Sequence, residues 1–103
     1  MKFFVDSIER EGEVYCAKGV CTQGSIEVGV TFLKVYKEIV NKIALYEFEL
    51  VGTENHRVVA LRVEKIIAYR RSLDSLPQGM TGEIYLVGEG GDDIHEKDIL
   101  ASE

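Results

Sequence analysis

Apolar residues in this chain recur at every second position in short runs, and glycines separate the runs. Ile26, Val28, Val30 and Phe32 share one face of such a run. Ala44, Tyr46, Phe48 and Leu50 share another, opposite Glu47 and Glu49. Val59, Leu61 and Val63 form a third, opposite Arg62 and Glu64, and Ile84 with Leu86 forms a fourth between Gly82 and Gly88. A period of two marks a half-buried strand, because successive side chains point to opposite faces. No long stripe of period 3.6 competes with it, and the 103 residues include one proline, Pro77. The ten glycines fall between the runs or at their edges, where turns need positive φ or backbones approach closely. Runs spaced at roughly ten residues give six or seven antiparallel strands and an all-β barrel or sandwich.

Two runs change parity part-way. After Phe32 the apolar positions become Leu33 and Val35, and the pattern shifts again near Lys65-Ile66-Ile67. One extra residue in a strand, a β-bulge, has this effect, and the coiled strands of a small closed barrel need such bulges. The expected architecture is therefore a small closed β-barrel, as a single domain over residues 1–103. Local signals add detail. Asn41-Lys42 reads as a hairpin turn, and Gly52-Thr53-Glu54-Asn55-His56 as a polar loop. Ser72-Leu73-Asp74-Ser75 reads as one helical turn, and Leu76-Pro77-Gln78-Gly79 as a type I turn. Ala101-Ser102-Glu103 reads as a fraying end. The pattern leaves the strand register between Lys34 and Arg62 open.

A chain with 46% hydrophobic and 29% charged residues can bury a core without staples. No apolar stretch approaches the ~20 residues that span a bilayer. The patch at Phe3-Phe4-Val5 is too short for a signal peptide. A cytoplasmic location, with no membrane contact, is the expectation. The net charge of −6 is unevenly placed: residues 1–78 hold 11 acids and 11 bases, residues 79–103 seven acids and one base. The whole chain thus lacks the positive footprint of most nucleic-acid binders. One stretch departs from that balance. Arg57, Arg62, Lys65, Arg70 and Arg71 fall within fifteen residues that contain one acid, Glu64.

Residues able to do chemistry are sparse. The phosphate-binding pattern G-x-x-x-x-G-K-[ST] does not occur, which excludes GTP hydrolysis and leaves no nucleotide site. Cys16 and Cys21 have no second pair with which to hold zinc, and read as free, partly buried thiols. His56 and His95 lie in or beside polar loops and read as solvated side chains. The acidic stretch Glu89-Gly90-Gly91-Asp92-Asp93, with Glu96 and Asp98, offers oxygen ligands but not the order of a calcium loop. It reads as a solvated turn. The aromatic residues fall mostly at strand positions and read as core. No catalytic residue, metal or cofactor is assigned.

Two stretches carry a family resemblance. The first comprises Phe3-Phe4-Val5-Asp6-Ser7-Ile8, followed by a glycine ladder through Gly12, Gly19, Gly24 and Gly29. The second comprises Arg70-Arg71-Ser72-Leu73-Asp74, then Gln78-Gly79-Met80-Thr81-Gly82, then Asp93-Ile94-His95-Glu96-Lys97-Asp98-Ile99-Leu100. Together they resemble the second-domain β-barrel of the translation GTPases such as elongation factor Tu, including its "A-G-x-x-G" entry to the central strand and its "D-I-x-x-G-x-V-L" ending. The resemblance implies a barrel of that type standing without a GTPase domain. Within the family this barrel packs on the nucleotide domain, contacts the ribosome and helps to hold the aminoacyl end of tRNA. Those contacts form no motif that maps onto numbered residues here. Three departures stand out: the Gly12–Gly19 interval is longer, Lys97 occupies a position where the family has Gly, and the segment from Lys34 to Arg62 is longer and shares little.

The expected function is a non-catalytic binding module that docks on a protein partner, its acidic end suited to a basic surface. The alternative is an RNA-contacting accessory of translation, using Arg62, Lys65, Arg70 and Arg71. A small hydrolase ranks last, because no nucleophile–base pair can be named.

Overall fold

Nine strands build the chain in the computed structural model, which describes residues 1–102. They are β1 (Lys2–Glu11), β2 (Val14–Gln23), β3 (Ser25–Glu27), β4 (Thr31–Ala44), β5 (Glu47–Ala68), β6 (Arg71–Leu73), β7 (Ser75–Pro77), β8 (Thr81–Glu89) and β9 (Asp98–Ala101). A 3₁₀ turn, Gly91–Asp93, sits between the last two. Six antiparallel strands pair in the order β4-β9-β1-β2-β8-β5, and β5 pairs back onto β4 to close the barrel. β6 extends the sheet beside the end of β5, and β3 pairs with β7 as a separate two-stranded ladder. The expected closed antiparallel barrel is therefore the observed fold.

The interior follows from the alternation. Phe3 and Val5 of β1, Phe32 and Val35 of β4, Leu61 and Val63 of β5 and Ile84 and Leu86 of β8 are all fully buried in one cluster. Each fully buried aliphatic or aromatic side chain contributes about 1.5–3 kcal/mol relative to exposure. The ladder of β3 and β7 adds Ile26 and Leu76 to the same core. Bulges lie where the parity changes: between Phe32 and Lys34, and between Val63 and Lys65. The second moves burial from Val63 to Ile66 and Ala68. Close strand approach explains one glycine directly. A Cβ on Gly19 would lie 1.8 Å from the Phe4 carbonyl oxygen, where β1 and β2 are packed tightly.

Several local expectations are corrected. Asn41 and Lys42 lie inside β4, and the chain reverses at Leu45-Tyr46 instead. The polar stretch from Gly52 to His56 is part of β5, where cross-strand pairing with β4 holds it extended. Asn55, with φ 58, takes up a bulge there. The run from Ile26 to Phe32 is broken at Val28-Gly29, which leaves Val28 exposed. Residues 72–75 are not helical; they are split between β6 and β7. The proline turn falls one residue later than expected, with the Met80 amide donating to the Pro77 carbonyl. Gly79, at φ 87, occupies its third position, which is the type II requirement. Ala101 does not fray: it is buried and pairs with both Lys2 and Lys34. The expectation for Glu103 falls outside the described residues. Lys97, which stands where the resembling family has Gly, has φ 69, and its amide donates to the Val5 carbonyl at 2.7 Å. The backbone there keeps the left-handed geometry that favours glycine.

Candidate functional site

The long segment between Lys34 and Arg62 resolves into a two-stranded arm. β4 and β5 remain paired to the turn at Leu45-Tyr46, but their outer partners stop short of it. β9 pairs with β4 only as far as Lys37, and β8 pairs with β5 only from Ala60 onward. Residues 38–53 therefore form a ribbon with one unpaired edge on each strand. About seven strand residues on each side reach roughly 23 Å beyond the barrel wall. The molecule measures 40 × 27 × 22 Å.

Directly paired residues in an antiparallel ladder share a face. Val40 pairs with Leu50, Lys42 with Phe48 and Glu38 with Thr53, so these six lie on one face. Asn41 pairs with Glu49, Ala44 with Glu47 and Lys37 with Glu54, placing three glutamates on the other. Nothing among the described residues covers the apolar side chains. Phe48 is 63% exposed, Leu50 56% and Tyr46 88%. Eight of the twelve exposed large apolar residues, from Ile39 to Val51, belong to this arm. The apolar face runs back to a cleft of about 430 Å³ lined by Lys2, Lys34, Tyr36, Thr53, His56, Arg57 and Val58. The Tyr36 and His56 rings stack there with centroids 5.2 Å apart.

A charged cluster fixes the root of the arm. Asp98, at the start of β9, is completely buried and is the one buried charged or polar residue of the described core. Its Oδ1 lies 2.9 Å from Lys37 Nζ of β4 and 3.0 Å from Arg57 Nη2 of β5. Arg57 Nη2 and Asp98 Oδ1 are both buried and make ion-pair contact with each other. The His95 amide donates to Oδ2 at 2.7 Å. Burial alone would raise the Asp98 pKa, but Arg57, the His95 amide and Lys37 outweigh it and hold the carboxyl below its ordinary value. Arg57 also donates to the Asp93 carbonyl, and Gly90 abuts Val59. The acidic loop 89–96 is thereby held beside the unpaired edge of β5.

The four basic candidates lie along the other half of β5. Arg62 is exposed on the outer wall, and its guanidinium is turned onto Glu64. Lys65 follows the bulge, with its ammonium 5.7 Å from the Tyr85 ring centroid. Arg70 sits in the two-residue turn between β5 and β6, and Arg71 opens β6. The structure brings Arg70 together with Lys18, Tyr69 and Thr81 around a depression of about 380 Å³. Arg62, Lys65 and Arg71 are not among the residues lining it, whereas Glu83, in ion-pair contact with Lys18, is. Tyr69 and Arg70 both have positive φ, 52 and 63. This matches a type I′ hairpin turn, normally built from Asn and Gly, made here from two bulky residues.

The remaining candidates are accounted for locally. Cys16 and Cys21 are free. Burial, foremost, pushes the Cys16 thiol pKa up, which keeps it protonated and weakly nucleophilic near neutral pH. Within the acidic loop, Asp92 is engaged by Arg10 at 2.9 Å and by the Tyr15 hydroxyl at 2.9 Å. His56 Nε2 lies 2.7 Å from the Thr53 hydroxyl on the arm. Sequence reasoning missed the arm and the Asp98 cluster. The unusual length between Lys34 and Arg62 was the available signal for the arm. No local pattern marks Asp98, because its partners come from two other strands and a loop.

No family model and no curated protein sequence matches this chain. Among solved structures, translation elongation factor SelB from Methanococcus maripaludis, in its apo form, is similar over 99% of this chain, with TM-score 0.69 and 16% identity. This chain spans 18% of the length of that one. The fold is thus a closed antiparallel barrel like the matching part of that elongation factor, with the β4–β5 arm as its most exposed apolar feature.

Proposed function

We propose that the protein is a non-catalytic binding module that docks on a protein partner through the β4–β5 arm. The carrying observation is the row of uncovered apolar side chains at its end, Leu45, Tyr46, Phe48 and Leu50. Apolar groups concentrated in one exposed patch, rather than scattered singly, mark interaction surfaces. The arm's other face supports a choice of partner chemistry. Glu47, Glu49 and Glu54, with the acidic loop held beside the same strand, call for a surface with an apolar groove and a basic rim. The likeness to SelB supports placing that partner in translation.

The test is site-specific photo-cross-linking in cells, with the cross-linker at Phe48 and a control at Gln23, an exposed residue at the end of β2. A discrete product from Phe48, absent from Gln23 and abolished by Glu47→Lys with Glu49→Lys, supports the reading. The same products from both positions, or indifference to the charge reversal, would overturn it.

A second reading rests on the Tyr69-Arg70 turn. Strained backbone of this kind persists where a side chain must be displayed, and here it presents an aromatic ring and a guanidinium beside Lys18. RNA contact through Arg70, with Arg71 and Lys65 flanking and Arg62 blunted by Glu64, would weaken steeply with salt. RNA binding that is unchanged by Arg70→Glu with Arg71→Glu would remove this reading.

A further inference from the structure

The two unpaired edges of the arm differ in what they can pair with. On β5 the free edge carries Glu47, Glu49 and Glu54, so a second copy of the same edge would set glutamates against one another. On β4 the free edge opens immediately after Lys37, where β9 ends its pairing. It reads Glu38-Ile39-Val40-Asn41-Lys42. Glu38 and Lys42 sit symmetrically about Val40 and point to the same face, since each is two residues from it along β4 and the extra residue of the bulge between Ile39 and Val40 is Val51 of β5. Both are exposed, and neither takes part in an ion pair among the described residues.

We infer that this edge pairs antiparallel with the same edge of a second copy of the chain, about a two-fold axis at Val40. In that register Val40 faces Val40 of the partner subunit. Glu38 of each copy faces Lys42 of the other, so one two-fold contact forms two opposite-charge pairs. Ile39 faces Asn41 on the reverse face. The intramolecular pairs then continue the rows across four strands. Leu50–Val40 meets its symmetry mate, giving four apolar side chains in line, and Phe48–Lys42 meets Glu38–Thr53. Shifting the register by two residues in either direction loses both ion pairs. The paired stretch is five residues, because β9 occupies the same edge up to Lys37. A contact this short is concentration-dependent rather than permanent. The dimer depends on Glu38 and Lys42 of β4, whereas partner docking depends on the apolar row at the arm's end and on Glu47 and Glu49 of β5, so charge reversals on the two strands test them separately.

The experiment is sedimentation velocity on the full chain over a wide concentration range, with Glu38→Lys, Lys42→Glu and the double exchange. Expected are a monomer–dimer equilibrium for the natural sequence, a dimer weakened at least about tenfold by each single reversal, and recovery in the double exchange. Both residues are exposed and unpartnered, so the single variants keep the fold, which circular dichroism checks. A natural chain that stays monomeric at its highest soluble concentration would overturn the inference. So would a dimer indifferent to the single reversals, or a double exchange that fails to restore it.

Discussion

Strand β5 passes through two environments, and the contrast between them separates what folds the molecule from what it displays. From Val59 to Ala68 the strand is part of the barrel wall, and Leu61 and Val63 are fully buried. From Glu47 to Thr53 it is half of the arm, and Phe48, Leu50 and Val51 are each about half exposed or more. Both halves show the same alternation and similar residue types. Period two establishes that a segment is a strand, but not that one of its faces is covered. Burial depends on the strands that lie across from it, and β8 and β9 stop before the arm begins.

Paired substitutions in wall and arm put this contrast to the test. The largest effect is expected from Gly19→Ala, because the new methyl would overlap the Phe4 carbonyl at 1.8 Å. A loss of about 4 kcal/mol or more follows from overpacking against backbone. Gly52→Ala in the arm meets nothing within 4 Å and should change urea stability by less than about 0.5 kcal/mol. Next, Leu61→Ala should cost about 3 kcal/mol, whereas Phe48→Ala should cost under about 0.5 kcal/mol, both read from urea midpoints. Equal losses in wall and arm would mean that the arm packs on something within the chain.

Asp98→Asn removes the anion at the junction of the two regions. Lys37 and Arg57 would lose their shared partner, at a cost of about 3 kcal/mol. The pH dependence has a definite sign. The folded pKa of Asp98 lies below its unfolded value, so its contribution is fully present above the unfolded value. It is lost as pH falls through the folded one. Stability of the natural chain should fall with acid across that window, and Asp98→Asn should flatten that part of the profile. Unchanged profiles would show that the cluster contributes no net stability.

The smallest effects should be gains. Lys97→Gly and Arg70→Gly relieve left-handed backbone in non-glycine residues, each raising stability by about 0.5–1 kcal/mol. Of the two, Arg70→Gly is expected to weaken any RNA contact while stabilising the fold, which separates display from folding at a single residue.

Legibility in the sequence followed the same division. The barrel was readable because its signals are local: alternation in Val59-Leu61-Val63, parity changes at the bulges, glycines at Gly82 and Gly88. Even Lys97, which departs from the family pattern, preserved the glycine-type backbone at its position. The hairpin tip was misplaced by about four residues, because Asn41-Lys42 has turn composition while cross-strand pairing with Phe48 and Glu49 keeps it extended. The polar stretch from Gly52 to His56 was misread for the same reason. Exposure of Tyr46, Phe48 and Leu50 could not be read from composition, since the same residues would suit a core. The Asp98 cluster depends on where β4, β5 and β9 meet, which is a tertiary fact.

The most direct measurement is the urea stability of a chain in which residues 40–51 are replaced by Asn-Gly, joining Ile39 to Gly52 through a tight hairpin. If the arm exists for contact and the barrel for stability, the shortened chain should unfold within about 0.5 kcal/mol of the full one. A loss of more than about 2 kcal/mol would show instead that the arm is part of what holds the barrel together.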